Sequence, residues 1–157
     1  MIRLCLLSAF FLTIVTCKAQ EVLLHIPIAG KNYKDFIPKG YGILYNGMAI
    51  GDLNKDGLDD IAFVIRDTVL EQHDTDPKRS LIVLLKTFSG YKLLDVSNNA
   101  VLCRGCGGIH GDPFVQLTIN NGILAIEHYG GSAWRWAFTH KFKYLKDGIY
   151  LIGKTYH

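Results

Sequence analysis

The sequence has little of what a helical, membrane-spanning or nucleic-acid-binding protein needs. Past its first twenty residues no segment carries a sustained 3.6-residue apolar stripe, so amphipathic helices are not expected. No later apolar run approaches the ~20 residues of a helical membrane span. Charge of one sign is not in excess. Without residues 1–19, which hold Arg3 and Lys18 and no acid, 15 Lys and Arg face 14 Asp and Glu. A balance this even gives no general attraction to nucleic acid. No linker or low-complexity tract divides the 157 residues, so one domain is expected. No Ser–His–Asp order or paired carboxylate stands out, and Ser132 lies in Gly130-Gly131-Ser132-Ala133-Trp134 rather than in a G-x-S-x-G elbow.

The head is distinctive. Arg3 precedes the apolar run Leu4 to Val15, and Cys17-Lys18-Ala19 offers small residues for a cut before Gln20. This is the pattern of an export signal over 1–19, too short to be a span. Ile14-Val15-Thr16-Cys17 also loosely resembles a lipobox, which would anchor the chain through a lipid on Cys17. The expectation is one domain over 20–157, delivered to the periplasm or the cell exterior. Of four cysteines, Cys5 and Cys17 leave with the signal, and Cys103 and Cys106 enter an oxidising compartment.

The rest reads as short β-like runs. Val22 to Ile28, Ile43 to Tyr45, Ile61 to Ile65, Ser80 to Leu85, Tyr91 to Val96, Val115 to Ile119, Ile123 to His128, Trp134 to Tyr144 and Ile149 to Ile152 are the expected strands. Asn120-Asn121-Gly122 and Lys146-Asp147-Gly148 supply hairpin turns. The fold class is all-β, an antiparallel meander of about 8–9 strands in sandwich or propeller-blade-like sheets. The polar stretch Asp67 to Arg79 reads as a surface loop. His25, His73, His140 and His157 read as surface residues or strand polar faces.

Gly51-Asp52-Leu53-Asn54-Lys55-Asp56-Gly57-Leu58-Asp59-Asp60 carries the most chemistry. Calcium takes 6–8 oxygens at about 2.3–2.6 Å. Asp52, Asn54 and Asp56 offer side-chain oxygen at alternate positions, Leu58 a carbonyl, and Asp60 a closing carboxylate. Gly57 permits the sharp turn. An EF-hand would place Glu at position twelve, where Phe63 stands, and helices on both sides. Here the flanks are strand-like. The pattern D-x-N/D-x-D-G-x-x-D between two strands resembles the FG-GAP or VCBS repeat of integrin α-chain propellers and many secreted bacterial proteins. The resemblance covers about Gly47 to Ile65 and implies calcium at Asp52, Asn54, Asp56, Leu58 and Asp60. It does not imply a propeller, which needs several repeats. The bland alternative is a polar hairpin turn that binds nothing. Phe36-Ile37-Pro38, Gly111-Asp112-Pro113-Phe114 and His128 to Trp136 resemble stretches of small exported bacterial proteins.

Cys103-Arg104-Gly105-Cys106 is open to three readings: a thiol redox site, a zinc site drawing on His110 with Asp112 or His128, or a short structural disulfide pinning a glycine-rich turn. Gly107-Gly108 does not start a helix, which disfavours the first. A second place for function is His128 to Trp136, where Tyr129, Trp134, Arg135 and Trp136 are residue types frequent at binding hot spots. Alternation places Trp134 and Trp136 on one face and favours the core for both. The leading expectation is a calcium-stabilised, non-enzymatic binding module whose partner is a protein, peptide or glycan. The alternatives are an enzyme using Cys103 and Cys106, or an inhibitor or immunity-type protein.

Overall fold

Ile61 to Ile65 and Leu81 to Leu85 are apolar without alternation, the signature of strands covered on both faces. Both behave so in the computed structural model, which describes residues 24–73, 76 and 78–157. The expected export segment, the lipobox and Cys17 lie outside the described residues.

Among the described residues the chain forms nine strands and no α-helix. They are β1 (Ala29–Gly30), β2 (Tyr41–Gly51), β3 (Asp60–Asp67), β4 (Ser80–Thr87), β5 (Gly90–Ser97), β6 (Phe114–Asn120), β7 (Ile123–Gly131), β8 (Arg135–Leu145) and β9 (Gly148–Tyr156). Two antiparallel sheets result, in the orders β1-β5-β4-β3-β2 and β6-β7-β8-β9. Each is a meander of consecutive hairpins, and β1 joins the first by pairing with β5. The all-β antiparallel expectation holds.

The sheets meet across one core. Ala62, Val64, Leu81 and Val83 of the first sheet pack with Leu117, Leu124 and Ile126 of the second. The opposite face of β3 and β4 presents Ile61, Phe63, Ile65, Ile82 and Leu84, which bury against Phe36. Leu24, Ile26, Tyr33 and Ile37 complete this cover. The segment before β2 is thus a third layer over the five-stranded sheet. A short 3₁₀ turn, Tyr33–Phe36, positions Phe36; Asn32 caps it at Lys34 N (3.1 Å) and Asp35 returns a bond from Asn32 N (2.9 Å).

Several elements differ from the sequence reading. Leu24 to Ile28 is not a strand; only Ala29–Gly30 pairs. Pro27 lacks an N–H for a ladder, and Leu24 and Ile26 are spent on the outer cover instead. β2 runs well beyond Ile43 to Tyr45, through a register shift between Ile43 and Met48 where Asn46 has φ 54°. Asn121 and Gly122 take φ 53° and 75°, as their hairpin requires. Trp134 lies in the turn before β8, 89% exposed, so it does not share the core with Trp136. Trp136 is half-buried and stacks on Phe138 at 5.4 Å.

Phe36 is fully buried and is the centre of the outer layer. Phe36→Ala is expected to destabilise by about 3–5 kcal/mol, as large-to-small core changes do. Urea unfolding of the two proteins measures it; a loss no larger than that of a surface substitution would show that the layer is dispensable.

Candidate metal centre and binding surface

The acidic loop joins β2 to β3, and Gly51 pairs with Asp60 at its neck. Lys55 (φ 65°) and Gly57 (φ 85°) turn the backbone back on itself. Asp52 is the loop's internal hub. Its Oδ1 accepts from Lys55 N (2.6 Å) and Asp56 N (3.2 Å), and its Oδ2 from Gly57 N (2.9 Å). Asn54 Oδ1 accepts from Asp56 N (3.1 Å), Asp56 Oδ1 from Leu58 N (2.8 Å), and Asn54 Nδ2 donates to Asp56 Oδ2 (2.8 Å). These are the local side-chain-to-backbone bonds that Asp and Asn favour in turns.

Asp60 is different. It is completely buried, and its two oxygens accept from Leu53 N (2.9 Å) and Lys86 N (2.8 Å). One carboxylate therefore ties the loop to the end of β4. Burial pushes this carboxyl above its ordinary range; amide bonds from Lys86, Leu53 and Asn54 pull it back, and the negative charge of Asp56 pushes it up again. The β6–β7 turn packs beside the loop: a side chain at Gly122 would meet Lys55 Cε at 3.3 Å. Among the described residues no three His, Cys, Asp or Glu side chains gather closely enough to hold a metal by themselves. An ion here has to draw on the Asn54 amide oxygen and the Leu58 carbonyl as well as on carboxylates.

Cys103 and Cys106 form a disulfide across the 3₁₀ turn Arg104–Gly107. Asp76 caps that turn from far along the chain, accepting from Arg104 N (2.9 Å) and Gly105 N (3.0 Å). Gly107 N bonds to Gly111 O (2.8 Å), and Gly108 bridges to Gly131. The two cysteines are thus bonded to each other, as the disulfide reading expects. His110 instead packs its ring on Tyr129 at 5.2 Å, and Asp112 pairs with Arg79.

The four candidate surface residues are split. Tyr129 lies on the outer face of β7, and its hydroxyl accepts from Arg135 Nη1 at 2.8 Å. Trp134 projects from the adjoining turn, while Trp136 faces inward beneath Gly130, where a Cβ would sit 2.6 Å from its ring. A groove of about 540 Å³ crosses the outer face of β7 and β8 beside Tyr129, over Ala125, Ala137 and Thr139.

The sequence reading missed two things here. Arg79, at the end of a polar stretch read as surface loop, is 2% exposed and donates both Nη groups to Asp112 (2.7 and 2.6 Å). His128 is 1% exposed, enclosed by the rings of Phe114, Phe138 and His140. His140 is half-buried in this row rather than on a polar face. No signal in the local sequence distinguishes these residues from exposed ones, because their burial comes from distant strands.

No known family, curated protein or solved structure matches this chain.

His128 accepts from Leu102 N at Nε2 (3.2 Å) and its Nδ1 has no partner among the described residues. Burial, then the positive fields of His140 and Arg79, lower its pKa from 6.5 to about 4; Asp112 opposes them and Lys154 adds to them. A base whose folded pKa is depressed is stabilising above its unfolded value and loses that contribution as pH falls. Stability is expected to drop between about pH 6.5 and pH 4, by on the order of 3 kcal/mol from this group alone. His128→Gln should flatten that region of a stability–pH curve taken by urea unfolding. An unchanged slope in the variant would assign the pH dependence elsewhere.

Proposed function

We propose that the protein is an exported, calcium-stabilised binding module without enzymatic chemistry. The ion would be held by Asp52, Asn54, Asp56, the Leu58 carbonyl and Asp60. One observation carries this reading: a fully buried carboxylate, Asp60, stands within the field of a second acid, Asp56, at the neck of a loop whose oxygen-bearing residues alternate. A hard divalent cation offsets that repulsion, and an oxygen donor set suits calcium better than a thiol- or imidazole-seeking metal. The likeness of the loop to FG-GAP and VCBS repeats supports the same ion.

The role of the ion is structural: it would fix the β2–β3 hairpin against β4 through Asp60. A site of this kind is filled in an extracellular medium even at a dissociation constant of ~10⁻⁴–10⁻³ M. Binding of a protein, peptide or glycan is assigned to the corner of Tyr129, Trp134 and Arg135 and the groove beside it. Exposed Trp and Arg are residue types frequent at hot spots, and Trp134 is 89% exposed. Trp136, turned inward, supports this surface from beneath.

Thermal unfolding in calcium and in EGTA tests the reading. Calcium at about a hundred times its dissociation constant should stabilise by ~2.7 kcal/mol, a rise in Tm of several degrees. Asp56→Ala should abolish the rise and leave the EGTA curve nearly unchanged. Equal curves in calcium and EGTA for the unaltered protein would reduce the loop to a hydrogen-bonded turn.

A further inference from the structure

At the end of the five-stranded sheet away from the acidic loop, the strands open onto a cleft of about 460 Å³. Three arginines line it: Arg66 near the end of β3, Arg79 just before β4, and Arg104 in the disulfide turn. Two carboxylates share the lining, Glu71 and Asp112, so the cleft carries one formal positive charge in excess. The acids hold two of the arginines in place. Asp112 takes both Nη groups of Arg79, and Glu71 pairs with Arg66. Arg104 forms no ion pair among the described residues, although its field reaches Asp112.

The pairing is incomplete in a specific way. Nε of Arg66 and Nε of Arg79 are both buried and meet no acceptor among the described residues. A guanidinium presents five N–H donors in a flat fork, and a buried donor left idle is in an unfavourable state. Two such donors belong to residues of one cleft, beside a third guanidinium that forms no ion pair among the described residues. Gln72 adds a neutral amide to the same lining.

We propose that this cleft is a binding site for an oxyanion, the carboxylate or the phosphate-like group of a small solute. The planar fork of arginine matches the spacing of two oxygens on such a group. Arg104, exposed and without an ion pair among the described residues, makes the first contact. Arg66 and Arg79, aimed by Glu71 and Asp112, supply the remaining donors. Their Nε atoms are sealed from water as the side chains stand, so the anion is met by the part of each guanidinium that lines the cleft. The site lies at the far end of β3 from Asp52–Asp60 and does not depend on the calcium reading.

The test is a titration of the purified protein with sodium sulfate and, separately, sodium acetate. Calcium and ionic strength are held fixed with chloride as balancing salt, and the arginine Nε–H resonances are followed by NMR. Saturable shifts at Arg66 and Arg79 are expected, with affinity about tenfold weaker in Arg104→Gln. That substitution is at an exposed side chain, so the fold is retained. Tighter saturation by acetate identifies a carboxylate ligand, and tighter saturation by sulfate a tetrahedral oxyanion. Shifts that do not saturate with either anion, or that Arg104→Gln leaves unchanged, overturn the proposal.

Discussion

The carboxylate of Asp60 is the constraint on which the arrangement depends. It accepts amides from two separate hairpins, at Leu53 and at Lys86, while fully removed from water. Removing it would leave the buried N–H of Leu53 unsatisfied, at a cost of about 1–3 kcal/mol, and take the acceptor from the part-buried N–H of Lys86. The same bonds fix where the acidic loop stands relative to the core, because Leu53 is itself a core residue beside Ala62 and Val64. The loop is therefore an extension of the packed interior. Asp60 joins it to β4 directly, through the Lys86 amide.

Polar chemistry is segregated to the two ends of the sheets. Between them, β3 and β4 are buried on both faces, and their middle residues are apolar. At one end stand Asp52, Asp56 and Asp60. At the other stand Arg66, Arg79 and Arg104, with His128 held neutral by burial nearby. Opposite charges at opposite ends favour a cation at the first and an anion at the second, and the apolar middle keeps the two apart. The outer face of the four-stranded sheet is left to the groove beside Tyr129 and to the exposed Trp134.

The sequence made the class of fold legible because strand length and turn chemistry are local. Asn121-Gly122 adopts the backbone its residues prefer, and the apolar runs at Ile61 and Leu81 became doubly buried strands. The disulfide was legible as one of three readings of a four-residue motif. What was not legible came from long-range packing. Leu24 and Ile26 look like a strand but lie across a sheet as cover, since Pro27 interrupts the ladder. Arg79 looks like loop charge but is buried by Asp112, thirty-three residues away. Trp134 and Trp136 share a parity, yet the strand begins only at Arg135, and that single residue of offset puts one indole in solvent. The alternation of oxygens in the acidic loop was plain in sequence; that Asp60 would be spent on two amides was not.

The most direct measurement is a calcium titration followed through backbone amide resonances. If the ion sits in Asp52–Asp60 and acts through Asp60, the amides of Leu53 and Lys86 shift together with those of Lys55 and Gly57. All four should follow one saturable binding curve with a single dissociation constant. Lys86 is the decisive probe, because it is remote from the loop in sequence and its amide bonds to Asp60. Shifts confined to exposed acids such as Asp59, with Lys86 unmoved, would contradict the account.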